Sequence, residues 1–191
     1  RSRRIRPHPL QPPPPLLLRL RPTFGPSSFS SAPGTCFRGV GTVETGAILA
    51  QLKDLTEQHV AVAVFPELCL SGYSAEDLFF TEKLLNDCRQ ALALLAESSQ
   101  LPLCAVGMPW RLADGRLLNC AAVIGNGRVL GMVPKSVQPN YGEFYDQRWF
   151  VSGHDVNETE VTADLGSFQI RCDQLFDVAS HLVGIEICED L

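Results

Sequence analysis

A chain of 191 residues with 45% hydrophobic and 19% charged residues has room, and the apolar material, for one medium globular domain. Its net charge of −5 conceals an asymmetry: residues 1–41 carry seven arginines and no acid, whereas residues 42–191 carry nine basic and twenty-one acidic groups. The strongly acidic larger part argues against nucleic-acid binding, which needs Lys and Arg at the phosphates, and no apolar run of about 18 residues exists to form a membrane-spanning helix.

Residues 1–34 differ in kind from the rest. They hold nine of the fourteen prolines, four arginines in the first six positions, and the serines Ser27, Ser28, Ser30 and Ser31. Such a segment buries too little apolar surface to offset its ordering entropy, so residues 1–41 are expected to be disordered or non-native. The Arg-rich, Ser-rich, acid-free composition also fits an organelle transit peptide, but its prolines oppose the amphipathic helix of such peptides. A fragment, or irregular upstream translation, is the plainer reading.

From residue 46 the pattern is regular. Ala47, Ile48, Leu52 and Leu55 recur at helical spacing and predict a helix ending near His59. Residues 60–65 (VAVAVF) form an apolar run closed by Pro66, as a strand buried on both faces does. Residues 75–98 read as helix, with Leu78, Phe79, Leu84, Leu85, Leu92 and Leu95 on its apolar face. A second buried strand covers 103–107. Residues 118–124 and 129–133 flank Gly125-Asn126-Gly127, a hairpin signal because Asn-Gly suits positive φ. A Pro-, Gly- and Tyr-containing loop spans 134–150, a short strand 168–172, and an apolar strand 181–187 that runs into Cys188. This order predicts an α/β fold, a mixed sheet covered by helices on one face. The fold is expected to be incomplete at both ends, because the chain stops three residues after Cys188 and residues 35–42 make a poor first strand.

Three segments place a reactive side chain just beyond a buried strand, where α/β sheets put their sites. In Phe65-Pro66-Glu67-Leu68 the Glu67 carboxylate is expected to be largely desolvated, a condition that prepares a general base. In Val133-Pro134-Lys135-Ser136 the lysine, one of three in the chain, follows a strand and could stabilise an oxyanion. In Gly184-Ile185-Glu186-Ile187-Cys188-Glu189-Asp190 the thiol sits at a strand-to-turn corner, while the neighbouring acids disfavour a free thiolate. Taken singly, each is as well read as a surface carboxylate, a solvated lysine and a structural cysteine. Jointly they supply base, oxyanion stabiliser and nucleophile for acyl transfer.

The order Glu, Lys, Cys resembles the triad of the nitrilase superfamily of carbon–nitrogen hydrolases. The strings PELCLSGYSAEDL, VPKSVQPNYGEFYDQRWF and GIEICEDL closely resemble the glutaminase domains of glutamine-dependent NAD synthetases. The resemblance covers about residues 46–191 and implies a nitrilase-like α-β-β-α sandwich in which residues 42–191 form a glutaminase domain cut short after the nucleophile. It implies Glu67 as general base, Lys135 as oxyanion stabiliser and Cys188 as nucleophile. Tyr141 would help bind glutamine, Glu143 would be a supporting acid, and Tyr73 lies in a matching motif. It further implies ammonia release to a separate domain, where ATP and magnesium would serve the conversion of deamido-NAD to NAD. No cofactor or metal is expected in this domain, and homo-oligomers are.

Seven cysteines without zinc-type spacing fit a reducing compartment, here the cytoplasm. None of the four histidines pairs in sequence with Cys188. A stand-alone amidase and a catalytically inactive fragment are the rival readings. Under the glutaminase reading, Glu67→Gln and Lys135→Ala are expected to abolish hydrolysis and leave folding nearly unchanged.

Overall fold

The computed structural model describes residues 16–20, 42–142, 144–156 and 160–190. Helix α1 (Thr42–Glu57) leads to β2 (Val62–Val64), a 3-10 segment (Tyr73–Phe80), α2 (Glu82–Ser98), β3 (Leu103–Arg111), β4 (Leu117–Gly125) and β5 (Arg128–Pro134). The hairpin β6 (Glu160–Ala163) and β7 (Gly166–Gln169) follows, then β8 (Phe176–Val178) and β9 (His181–Ile187). Strand β1 (Leu16–Leu20) pairs in parallel with β9. Those five residues therefore depart from the disorder expected of residues 1–41. Their LLLRL run offers β9 a backbone ladder that the surrounding Pro-rich stretch could not. The remainder of 1–41 lies outside the described residues.

Two sheets share one core. In the first, ordered β2-β3-β4-β5, β2 and β3 run parallel and the next two pairs antiparallel. In the second, ordered β1-β9-β8, β8 and β9 are antiparallel. Period-two alternation sorts the side chains of the first sheet. Cys104, Val106, Met108 and Trp110 of β3, with Cys120, Ala122 and Ile124 of β4, pack with Ile48 and Leu52 of α1 and Leu84, Leu85, Cys88, Leu92 and Leu95 of α2. Leu103, Ala105, Ala121, Val123 and Val133 point the other way and meet Phe176, Val178, Val183, Ile185 and Ile187 of the second sheet. The described residues thus stack as helix, sheet and sheet, an α/β nitrilase-like arrangement. Most of a protein helix's stability comes from packing of its apolar face, so the buried leucines of α2, each contributing about 1.5–3 kcal/mol, hold it in place.

The β4–β5 turn is the expected one. Asn126 and Gly127 take φ of 49° and 81°, as a two-residue turn matched to strand twist requires. Three elements differ from expectation. Residues 60–65 supply only the short β2, with Ala63 buried and Val62 and Val64 half-buried, because β2 stands at the margin of its sheet. The single helix expected over 75–98 is broken: Tyr73–Phe80 is a 3-10 segment kinked at Ser74 and Glu76, and α2 begins after the extended Thr81. Phe79 causes the break by wedging edge-on against Trp149 and Phe150, ring centres 5.6 and 4.9 Å away, and so turns Leu78 and Phe80 outward. Finally, the strand at 168–172 is β7 with a single bridge from Ile170 to Met132 beyond it.

Candidate active site

The three strand-end segments converge. Phe65 N–H bonds to Ala105 O at 2.9 Å and Leu70 N–H to Gly107 O at 3.1 Å, so the loop bearing Glu67 lies directly on β3. That close approach requires Gly107, where a Cβ would stand 2.3 Å from Leu68 N and 2.8 Å from the Glu67 carbonyl carbon. Lys135 follows β5, with its N–H on Asn119 O at 2.8 Å and its carbonyl accepting from Gly153 N–H at 2.9 Å. Cys188 follows β9 and opens a 3-10 turn over Cys188–Asp190.

At the centre lies a buried ammonium group between two carboxylates. Lys135 Nζ is 2.7 Å from Glu67 Oε1 and 3.1 Å from Asp146 Oδ2. The lysine side chain is 0% exposed, Asp146 3% and Glu67 18%. Burying ions this deeply costs several kcal/mol each unless every partner is supplied. The partners are supplied: Asn119 Nδ2 donates to Glu67 Oε1 at 2.6 Å, and Tyr73 OH donates to Asp146 Oδ1 at 2.9 Å. Burial pulls the lysine's pKa down, but the Glu67 and Asp146 carboxylates more than offset this and hold it above its ordinary value. Lys135 is therefore a fixed cation at neutral pH. For Tyr73, burial first and then the Asp146 carboxylate push the phenol well up, so it remains a donor.

Cys188 is exposed and takes φ of 52°, a left-handed conformation that a non-glycine residue holds only under constraint. The strand thus ends in a sharp corner that presents the sulfur to solvent, the geometry of a nucleophile elbow. Desolvation raises the thiol's pKa, with the charges of Glu67 and Glu189 acting the same way. Lys135 and the Glu189 N–H act against them. The resting group is a thiol, and the charges of both Glu67 and Lys135 reach it.

Tyr141 sits at the rim, exposed, its hydroxyl donating to Glu189 Oε1 and its ring edge-on to Phe144. Glu143 lies outside the described residues. Asp146 is the acid bonded to Lys135, and sequence reasoning did not single it out because nothing in EFYDQRWF separates one loop acid from another. Asn119 was missed as well. Its signal was present, a lone polar residue in the apolar stretch LLNCAAVIG. A cleft of about 490 Å³ lined by Leu130, Phe168, Arg171, Gln174 and Phe176 shares none of these residues. It holds neither an exposed thiol nor a buried lysine, so it is not the candidate. Among the described residues no group of three or more His, Cys, Asp or Glu is placed to hold a metal ion, and no helix is long and apolar enough to cross a membrane.

The carbon–nitrogen hydrolase family pattern matches residues 40–191. The chain is 37% identical over 158 residues to a glutamine-dependent NAD(+) synthetase of Mycobacterium leprae, covering 80% of this chain and 23% of that protein. A namesake from Aquifex aeolicus is 33% identical over 156 residues, with 80% and 24% covered. The chain therefore spans about a quarter of the length of these curated relatives. Among solved structures, a glutamine-dependent NAD(+) synthetase from Cytophaga hutchinsonii superposes with a TM-score of 0.73 at 29% identity, over 79% of this chain and 26% of that one. An amidase from Nesterenkonia shares the fold, with a TM-score of 0.51 at 18% identity over 60% of this chain and 44% of that one.

Proposed function

Because this chain belongs to the carbon–nitrogen hydrolase family, we propose that it hydrolyses the side-chain amide of glutamine and delivers the ammonia to a synthesis of NAD. The observation that carries the reading is the buried Glu67–Lys135 pair beside an exposed cysteine at a strained strand end. Relatives named for glutamine-dependent NAD synthesis support the choice of substrate.

In this reading Glu67 takes the Cys188 proton. Lys135 and Asn119 both bond its Oε1, and Oε2 would receive the proton. The sulfur attacks the amide carbon, and the developing oxyanion is met by the Lys135 ammonium, already oriented before the reaction. Glu67 returns its proton to the leaving nitrogen, ammonia departs, and a glutamyl thioester remains. Water, deprotonated by Glu67, then attacks the thioester to release glutamate and restore the thiol. Asp146 holds the lysine from its far side. Tyr141, with Glu189, forms a polar rim for the amino-acid end of glutamine, and Tyr73 and Glu143 are supporting groups.

The ammonia would be consumed where deamido-NAD is amidated at the expense of ATP. ATP with magnesium would supply the activation of the carboxyl there, and none of the steps above runs through them. Residues 42–191 would form the glutaminase domain and 1–41 a segment outside it. Leu78, Phe80 and Leu94, exposed on and just before α2, support a homo-oligomer, and the free thiols of Cys88, Cys104 and Cys120 support a reducing, cytoplasmic setting.

The test is NAD formation from deamido-NAD and ATP by the full-length protein, with glutamine or ammonium as donor. Cys188→Ala should lose the glutamine-driven reaction and keep the ammonium-driven one. Hydrolysis of glutamine without NAD formation from either donor would instead make the protein a stand-alone amidase. Failure of the folded wild type to hydrolyse glutamine would end the proposal.

A further inference from the structure

The residue two beyond Cys188 fastens the nucleophile's corner to the segment that carries Lys135. Asp190 Oδ1 accepts the backbone N–H groups of Ser136 at 2.7 Å and Val137 at 2.9 Å, and Oδ2 accepts that of Ile187 at 3.2 Å. Ser136 directly follows Lys135 and Ile187 directly precedes Cys188. One carboxylate therefore spans the exits of β5 and β9.

No ladder hydrogen bond does this, because β5 and β9 belong to different sheets. Val133 packs there in an apolar cluster with residues such as Ile185 and Ile187, and hydrophobic burial is non-directional. Amide bonds to an ionised carboxylate are directional, and stronger than neutral ones. On its other flank the same segment is tied by Ser152 Oγ to Ser136 O at 2.7 Å and by Gly153 N–H to Lys135 O at 2.9 Å. The left-handed Cys188 needs such surroundings, since a strained backbone persists only where its neighbours over-determine it.

We propose that Asp190 is a positioning residue of this site: by holding the amides of Ser136, Val137 and Ile187 it sets the separation of the Cys188 sulfur from the Lys135 ammonium and keeps Cys188 in its strained conformation. This rests on reading Cys188 as nucleophile and Lys135 as oxyanion stabiliser. Asp190 acts through those two groups, since its oxygens are taken up by backbone amides. Of the two acids in the ICED string, Asp190 accepts only backbone N–H groups in the bonds described, whereas Glu189 accepts from the Tyr141 hydroxyl.

The test uses full-length wild type, Asp190→Asn, Asp190→Ala and Cys188→Ser. Glutamine hydrolysis is followed at steady state, and Cys188 alkylation by iodoacetamide is followed against pH, with the modified peptide identified by mass. Asp190→Asn keeps an oxygen for Ser136 and Val137 and sets an NH2 against the Ile187 N–H. It should fold as wild type does, lose part of kcat and leave KM nearly unchanged. Asp190→Ala frees all three amides and should lower kcat by about 100-fold, the scale of an ångström's misplacement. In both variants the pH midpoint of alkylation should shift, as Lys135 and Glu67 no longer stand at their former distances from the sulfur. Wild-type kcat with an unmoved midpoint in a folded Asp190→Asn would overturn the proposal, as would a change confined to KM. If Asp190→Ala does not fold, Asp190→Asn alone decides. Retained hydrolysis in Cys188→Ser would overturn the reading of the nucleophile instead.

Discussion

Glu67 and Lys135, 68 residues apart in sequence, meet at 2.7 Å with the lysine wholly buried. The pair links base and cation: any movement of the Glu67 loop is felt by the group meant to stabilise the oxyanion. Asp146 completes the arrangement at 3.1 Å, giving two carboxylates to one ammonium. Desolvation first, and then the Glu67 charge, keep the Cys188 thiol protonated at rest, so a base must act before it becomes a nucleophile.

Removing either partner should have different consequences. Glu67→Gln preserves shape and the bond from Lys135, so hydrolysis should be lost with little change in the urea midpoint. Lys135→Ala leaves two acids facing each other in a buried site, a change that costs about 3–5 kcal/mol where a buried ion pair is broken. The expectation that this variant folds nearly normally is therefore revised, since the sequence could not show that the lysine is enclosed. Equal urea midpoints for the two variants would contradict the buried arrangement.

Cys188 provides a second comparison. With φ of 52° it carries a strain of about 1–2 kcal/mol that glycine lacks, against which glycine's greater freedom in the unfolded chain counts for about 0.4–1 kcal/mol. Cys188→Gly should therefore melt at or above the temperature of Cys188→Ala, while both are inactive in glutamine hydrolysis. A clearly lower melting point for the glycine variant would show that the corner is not strained.

Gly107 should prove intolerant for a reason that Gly46 does not share. An alanine methyl at 107 would meet three backbone atoms of residues 66–68 at 2.3 to 2.8 Å, none of which can swing aside as a side chain would. Overpacking of this kind costs about 1–3 kcal/mol, and the segment displaced is the one carrying Glu67, so activity should fall with stability. At Gly46, exposed on α1, a Cβ meets nothing within 4 Å, and Gly46→Ala should stabilise by about 0.5–1 kcal/mol. Thermal melts and glutaminase rates of the two variants test the contrast.

Much of this was legible because the site sits at the ends of strands that announce themselves. The 103–107 and 118–133 patterns gave β3, β4 and β5, and Asn126-Gly127 the hairpin between the last two. Long-range contacts escaped the sequence. Phe79 breaks a continuous helical pattern because Trp149 and Phe150, some 70 residues later, offer it an edge-on seat. Strands β6 and β8 are four and three residues long and depend on partners rather than on pattern. Asp146 is distinguished from other loop acids only by the two groups, Lys135 and Tyr73, that it meets in space.

The thiols buried behind the site give a pH dependence whose sign can be worked out. Burial pushes Cys88 up to about 12 and raises Cys104 and Cys120 as well. An unfolded chain releases these protons from about pH 8.5, the ordinary thiol value. Between there and the raised values the folded state binds more protons than the unfolded, so stability must fall as pH rises. Below about pH 8.5 both states are protonated and these groups add no slope. Lys135, also raised when folded, contributes with the same sign but only above about pH 10.4. Urea midpoints measured at pH 7, 9 and 10 should therefore decline across the last two. Cys88→Ala, which removes one of the thiols, should decline less steeply than wild type. A slope unaltered by that substitution would mean that Cys88 ionises in the folded protein as readily as in the unfolded chain, contrary to its complete burial between α2 and the sheet.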